Sequence, residues 1–347
     1  MKENMEDRIK RIHKNSAIVD AHFDLLMDVA DKREYGHRKV IETSYLPGFI
    51  EGGVNIVVSS IFIESVFLPE MALRKAMNQI SSLYAEIDES PDKMMICRSC
   101  DDIFKALEER KIGFILSFEG VEPLYNDLSL LRVFYELGVR IVGLVWSRRN
   151  FAGDGSYFSN VREGKKGGIT NFGVQLIEEA ERLGMLIDVS HLNDEGFWDV
   201  MELAKKPVIA SHSNCRSIAN TMRNLTDAQI KALAQKGGVI GINASNMLTS
   251  CREEDGDTEH LIDHVDHIVK LVGYEHVGLG FDFCDDFMKY FSEDTLAAMP
   301  CKPFDVLKGH KSIEQLTRGL MKRGYKDAEI EMIYGKNFLR IYKEVLK

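Results

Sequence analysis

Apolar runs of strand length alternate along the chain with stretches of helical periodicity, the pattern expected of a parallel sheet covered on both faces. Eight runs stand out: AIVDAHFD (17–24), VNIVVSSIFI (54–63), IGFILSFEG (112–120), RIVGLVW (140–146), MLIDVSH (185–191), PVIASHS (207–213), GVIGINAS (238–245) and HVGLGFDF (276–283). Between them lie amphipathic stretches such as LSLLRVFYELG, NFGVQLIEEAERLG and TDAQIKALAQKGG, with glycines placed where helices stop. Eight such units predict an α/β fold, a (β/α)8 TIM barrel. The segment between the second and third strands is long enough to hold two or more helices. After the eighth strand a long loop, 284–310, leads to SIEQLTRGLMKRG and then to a closing helical pair in DAEIEMIYGKNFLRIYKEVL. No Gly/Ser/Pro-rich linker and no internal repeat interrupts this order, so residues 1–347 are expected to form a single barrel domain.

Composition narrows the setting. The hydrophobic fraction of 45% is ordinary for a globular chain, and no apolar run approaches the roughly 18 to 20 residues that span a bilayer. The first residues, MKENMEDRIKRIHKNS, are charged and helical in character, unlike a signal peptide, so a cytoplasmic location is expected. Lys and Arg number 44 against 54 Asp and Glu, and the net charge of -10 opposes nucleic acid and anionic membrane surfaces; neither is expected as a partner. The six cysteines, Cys97, Cys100, Cys215, Cys251, Cys284 and Cys301, read as reduced thiols. Cys97 and Cys100 form a C-x-x-C, but no second pair completes a zinc site and a helical pattern follows directly, so the spacing reads as coincidence.

The chemistry lies where the runs end, because the carboxyl ends of barrel strands build the active site. His22 and Asp24 close the first run, Glu119 the third, His191 the fifth, His212 the sixth and Asp282 the eighth. An isolated H-x-D is ordinarily a capped strand end, and one buried histidine is ordinarily a satisfied core residue. Six ionisable groups at five strand ends are different, since each is costly on a buried strand without a partner. Imidazole and carboxylate together suit a divalent transition metal, zinc foremost, and the set oversupplies one four-coordinate ion. If Glu119 bridges, one ion receives His22, Asp24 and Glu119, and the other Glu119, His191 and His212. Two dications against two carboxylates and a hydroxide leave about +1, which Asp282 offsets while remaining free to handle protons.

The blocks DAHFD, SFEG, IDVSH, ASHSNCRSIANTMRNLTD and HVGLGFDF, in this order and spacing, resemble the membrane (renal) dipeptidase family of binuclear zinc peptidases, within the amidohydrolase-type barrels. The likeness runs from about Asp20 to the GKNFLR segment, and the H-x-D on the first strand separates this family from relatives carrying H-x-H. It implies two Zn²⁺ ions, with His22, Asp24, His191 and His212 as metal ligands and Glu119 bridging. It implies that Asp282 exchanges a proton with a metal-bridged hydroxide that attacks the peptide bond. It also implies that Arg223 binds the terminal carboxylate of a free dipeptide, which suits a planar guanidinium. Dipeptides with a C-terminal D-residue fall within the expected substrates. One departure stands out: animal members carry a histidine after the fourth strand that helps hold the substrate carbonyl, whereas this chain reads GLVWSRRN and puts Trp146 there. An indole donates one hydrogen bond and does not titrate near neutral pH, so Trp146 is read as a substrate-pocket wall.

Other polar residues receive plainer readings. Asp20 is in phase with His22 and Asp24 and is expected to support a ligand; Asn243, on the seventh strand, is expected to line the substrate pocket. His260, His264 and His267 share one helix face and read as a packing or solvated face. His13, His37, His276 and His310 have no informative context. A hydrolase of another small amide, lactam or ester, or a metal-binding relative without activity, is the alternative function. Oligomeric state is left open, with a homodimer through the outer helices as the arrangement to test.

Overall fold

A computed structural model describes residues 4–157, 164–250, 252–290, 293–297, 299 and 301–346. Its strands are β1 (Ile18–Phe23), β2 (Val54–Phe62), β3 (Met94–Ile96), β4 (Ile112–Glu119), β5 (Val139–Gly143), β6 (Leu186–Asp188), β7 (Ile209–Ala210), β8 (Val239–Ile242) and β9 (Val277–Leu279). All pairings are parallel, and the ring β1-β2-β4-β5-β6-β7-β8-β9 closes on itself through the contact of Asp20 with Leu279. The eight expected strands are therefore all present in a closed TIM barrel. The short β3, three residues without alternation, was not expected. It pairs with Ile112–Phe114 on one edge of β4, below the stretch Leu116–Glu119 where β5 takes over that same edge.

Why these segments become strands is visible in their burial. Every residue of β4 is buried, as are all of β1 and nearly all of β2, so the runs read as continuous apolar stretches because helices cover the outside and packed side chains fill the inside. Val19, Val58, Ile115, Ile141, Leu186, Ile209 and Val239, from seven different strands, meet in one cluster. Residues from seven strands of a ring can meet only within it. The same cluster takes in Phe338, Ile341 and Tyr342 of the C-terminal helix Asn337–Val345, which therefore plugs the end of the barrel where the strands begin.

The closing segment is one helical run, Asp327–Glu331, then a π-helical turn Met332–Lys336, then Asn337–Val345, in place of the expected pair. The π turn sets Gly335 against the start of β1: a Cβ there would lie 1.8 Å from the Ala17 carbonyl oxygen. A backbone atom cannot rotate away as a side chain can. Gly335→Ala is expected to cost about 3 kcal/mol, read as a lower urea midpoint with unchanged slope.

The other expected helices are found, each with a local reason for its ends. Thr170 caps Asn171–Leu183, and left-handed Gly184 terminates it. Thr226 and Gln229 form a capping box on Asp227–Gln235. The insertion after β2 holds Ala72–Glu89 and Cys100–Glu109, and Cys97 and Cys100 are free thiols, as the sequence suggested. Cys251 lies outside the described residues. Among those that are described, no helix is long and apolar enough to cross a membrane.

The long segment after β9 is tied back to the barrel through Asp28. Its carboxylate accepts from Tyr45 at 2.7 Å, from Lys289 at 2.7 Å and from Tyr290 at 2.7 Å, and pairs with Lys32 at 2.6 Å. Burial works against the charge, but the four donors outweigh it and hold Asp28 at about 2. Because its folded value is depressed, this tie contributes fully above the ordinary aspartate range and is lost as pH falls from about 4 towards 2. Asp28→Asn is expected to lower stability at neutral pH and to flatten the acid limb of a pH–Tm profile over that window. An unchanged acid limb would contradict the assignment.

Candidate metal centre

The residues at the barrel mouth are set by where each strand stops. Glu119 is the last residue of β4, His22 lies within β1, and Asp24 follows one residue after it. His191 and Asp282 each lie three residues beyond their strands, and both adopt left-handed backbone, φ 68° and 54°. Such conformations cost roughly 1 kcal/mol or more for a residue with a side chain, and they turn both groups inward over the axis.

The three histidines converge on the Glu119 carboxylate, and Asp24 and Asp282 join them through His22. Glu119 Oε1 lies 2.9 Å from His191 Nε2, 3.5 Å from His22 Nε2 and 3.7 Å from His212 Nε2. His22 Nε2 is also 3.7 Å from Asp24 and 3.8 Å from Asp282. The two Nε2 atoms of His191 and His212 approach to 2.8 Å, and the rings of His22 and His212 stack at 3.7 Å. Two triads of potential ligand atoms result, His22–Glu119–His212 and His22–Asp24–Asp282.

This arrangement is electrostatically unsettled on its own. Burial, then the Asp24 charge, push Glu119 well above the usual carboxylate range. Burial and Asp24 raise Asp282 to about 6, against the pull of His22 and Arg223. Burial lowers His191 and His212 well below an ordinary histidine, whereas His22 is carried well above it by Glu119 and Asp24 despite the same burial. His22 Nε2 and Glu119 Oε2 are buried without any hydrogen-bond partner. These two orphaned atoms, with the Nε2 atoms of His191 and His212 also 2.9 and 3.7 Å from the Glu119 carboxylate, make up the donor set a divalent cation satisfies. The residues therefore fit metal.

Neighbouring side chains fix how these groups point. Ser211 donates its hydroxyl to Asp188, whose carboxylate also accepts the Ser190 N–H at 3.0 Å and the Ser211 N–H at 2.9 Å. With its proton so committed, the Ser211 oxygen must accept from His212 Nδ1–H, 2.7 Å away, which leaves the lone pair on Nε2 facing Glu119. Ser147 sits 3.1 Å from His191 Nδ1, and Ser60 donates to Asp24. The sequence reading missed Asp188, Ser211, Ser147 and Ser60; a carboxylate inside the apolar IDVSH run was the one available signal. Ser211→Ala is expected to weaken metal affinity roughly 10- to 100-fold, measured by competition against a chelator.

Asn243 lies one residue past β8, fully buried; it donates to Asp282 Oδ2 at 2.8 Å while its own oxygen accepts the Ser245 N–H at 2.7 Å. The structure thus brings it to Asp282 as a brace. Asp20 supports its strand differently from what its phase suggested: Oδ1 accepts the backbone N–H of Phe281 at 3.0 Å and of His22 at 3.3 Å, and touches no ligand side chain. Its other oxygen accepts from His310 Nε2 at 2.7 Å. His310, uninformative in the sequence, is buried among Phe23, Phe49 and Phe283. His310→Ala is expected to lower kcat several-fold by loosening the β1–β9 junction that carries His22 and Asp282, with His310→Gln, which keeps a donor, recovering part of the loss.

Arg223 is buried in the loop after β7, donating to the His212 carbonyl at 3.1 Å while its Nε has no partner. Burial lowers it to about 10 even though Asp282 and Glu119 favour its charge. Trp146 is half-buried, its ring 6.0 Å from His191, 4.6 Å from Phe62 and 5.2 Å from the Arg148 guanidinium. His260, His264 and His267 form no metal group among the described residues: His264 is buried between the Cys215 N–H and the Thr249 carbonyl, and the other two pair with Asp257 and Asp227.

With this geometry in place, comparisons with known proteins agree on one family. A sequence profile described as membrane dipeptidase, peptidase family M19, matches residues 6–347. The chain is 31% identical over 271 residues to an uncharacterized protein in the pqqA 5′ region of Klebsiella pneumoniae, covering 77% of this chain and 94% of that one. It is 29% identical over 274 residues to dipeptidase verJ of Clonostachys rogersoniana, covering 79% of this chain and 66% of the other. Among solved structures, a metallopeptidase named dipeptidase AC superposes with a TM-score of 0.82 at 25% identity, covering 95% of this chain and 99% of its own.

Proposed function

The chain belongs to the membrane dipeptidase family, peptidase family M19, and is a dipeptide-hydrolysing metalloenzyme, and from that premise we propose that it is a binuclear zinc dipeptidase. The reading assigns Glu119 as the shared ligand, with His22 and Asp24 on one side and His191 and His212 on the other. The observation that carries it is the pair of buried, partnerless atoms, His22 Nε2 and Glu119 Oε2, at the focus of three imidazoles and three carboxylates. When bound by these residues, two zinc ions would supply the charge that lowers the pKa of a bound water and polarises the scissile carbonyl.

The remaining steps belong to the chain's own side chains. Arg223 holds the substrate's terminal carboxylate through its free Nε edge, which fixes which amide lies over Glu119. Asp282, braced by Asn243 at 2.8 Å, accepts a proton at its carboxylate and returns it to the leaving amine. The reading makes the Trp146 indole, 6.0 Å from the His191 ring, a wall of the substrate pocket, where the family resemblance implies a carbonyl-binding histidine in animal members. We propose that residues 1–347 work as one barrel domain on free dipeptides, including those ending in a D-residue; a homodimer is the assembly to test by sedimentation. Supporting the dipeptide reading over a lactam or ester is a buried cation placed for a free carboxylate.

The test is a dipeptide panel with L- and D-residues at the second position, assayed on metal-loaded, chelated and zinc-restored protein. Turnover that vanishes on chelation and returns with zinc is expected. Metal retention with hydrolysis only of lactams or esters would replace the dipeptide reading by its alternative.

A further inference from the structure

A cavity of about 360 Å³ opens at the barrel mouth, with Leu68, Pro69, Val121, Tyr125 and Phe151 as its apolar lining and Glu122, Arg148, Arg149 and Asn150 as its polar lining. It lies after β2, β4 and β5. Val121 is two residues beyond the metal-centre Glu119, and Phe62, the end of β2, is in register with Glu119 itself. Trp146 links the two neighbourhoods, with its ring 6.0 Å from His191 and 5.2 Å from the guanidinium of the cavity-lining Arg148.

The position of this cavity relative to Arg223 gives it a role. In the closed ring β1-β2-β4-β5-β6-β7-β8-β9, β7 stands diametrically opposite β2. Arg223 follows β7, and the cavity follows β2 and its neighbours. A dipeptide spans only about 7 Å along its backbone. With its carboxylate at Arg223 and its peptide bond at Glu119, the first residue has crossed the metal centre, and its side chain is directed to the β2–β4–β5 side. The cavity's size, at the lower end of small-ligand pockets, suits one large side chain, and most of the surface it presents is apolar, although Glu122, Arg148, Arg149 and Asn150 also border it.

We propose that this cavity is the subsite for the side chain of the dipeptide's first residue, and that it selects large apolar or aromatic residues there. The proposal rests on the dipeptidase reading with Arg223 at the carboxylate. Leu68 and Phe151 are its specificity-determining residues; Leu68 is half-buried and Phe151 is 53% exposed, so both tolerate replacement better than the buried Val121.

The experiment compares kcat/KM for Gly-Ala, Ala-Ala, Leu-Ala and Phe-Ala, and for the reversed series Gly-Ala, Gly-Leu and Gly-Phe. Phe-Ala is expected to exceed Gly-Ala by roughly tenfold or more. Leu68→Trp, which fills the cavity, should cut that ratio at least tenfold, and Phe151→Ala, which opens one wall, should cut it a few-fold. The second-residue ratios should hold in both. A flat first-residue profile, or variants that change the second-residue ratio instead, would overturn the subsite. If the profile is flat while Arg223→Ala still discriminates free from amidated dipeptides, only the subsite falls. If Arg223→Ala does not discriminate, the substrate's orientation falls and the subsite with it.

Discussion

Asp282→Asn is expected to lower kcat by roughly 10²- to 10⁴-fold, with both metals retained and KM little changed. The side chain is nearly isosteric, and Asn243 Nδ2, 2.8 Å from Oδ2, still finds an oxygen to donate to. What is lost, on the proposed mechanism, is the ability to accept a proton from the attacking water and to return it to the amine. Charge is lost too, but Asp24 and Glu119 remain beside His22, so the site keeps its attraction for cations. A variant that loses metal along with activity would make Asp282 a ligand first and a proton carrier second. A variant that keeps full activity would remove it from the mechanism.

Arg223→Ala carries the second large effect. A buried cation that pairs with a substrate anion is worth on the order of 2–5 kcal/mol when removed, so kcat/KM for free dipeptides should fall about 30- to several-thousand-fold. C-terminally amidated dipeptides, which lack the anion, should lose far less. The contrast isolates the carboxylate contact, because Arg223 also donates to the His212 carbonyl at 3.1 Å and its loss disturbs that contact for every substrate equally. Equal loss for free and amidated substrates would assign Arg223 to holding the His212 backbone.

The parts of this protein that were legible in its sequence share a physical reason. A parallel strand covered on both faces has to be apolar throughout, so VNIVVSSIFI and IGFILSFEG announce themselves. A charged group at the end of such a run has to have a partner, so His22, Glu119, His191, His212 and Asp282 announce themselves as well. What the sequence hides is pairing at a distance. His310 meets Asp20 across 290 positions, and nothing near either residue marks the contact. The Asp188–Ser211 link that sets the His212 tautomer uses a serine, too common a residue to read. The left-handed turns at His191 and Asp282 fall on residues with no special preference for that conformation, so the strands stop earlier than their apolar runs do. The π turn is similar: MIYGK reads as ordinary helix until Gly335 is seen pressed on Ala17.

Glu119 unites these observations, since the three histidines surround its carboxylate and one of them, His22, is also the neighbour of Asp24 and of Asp282, the proposed proton carrier. The most direct test of the account is the metal content of the purified protein, located by anomalous diffraction at the zinc edge, for the native chain and for Glu119→Gln. Two zinc ions per chain flanking Glu119, reduced to one or none in the variant, is the predicted result. A single ion in the native protein, or two ions that the variant holds as tightly, would contradict a shared carboxylate at the heart of the site.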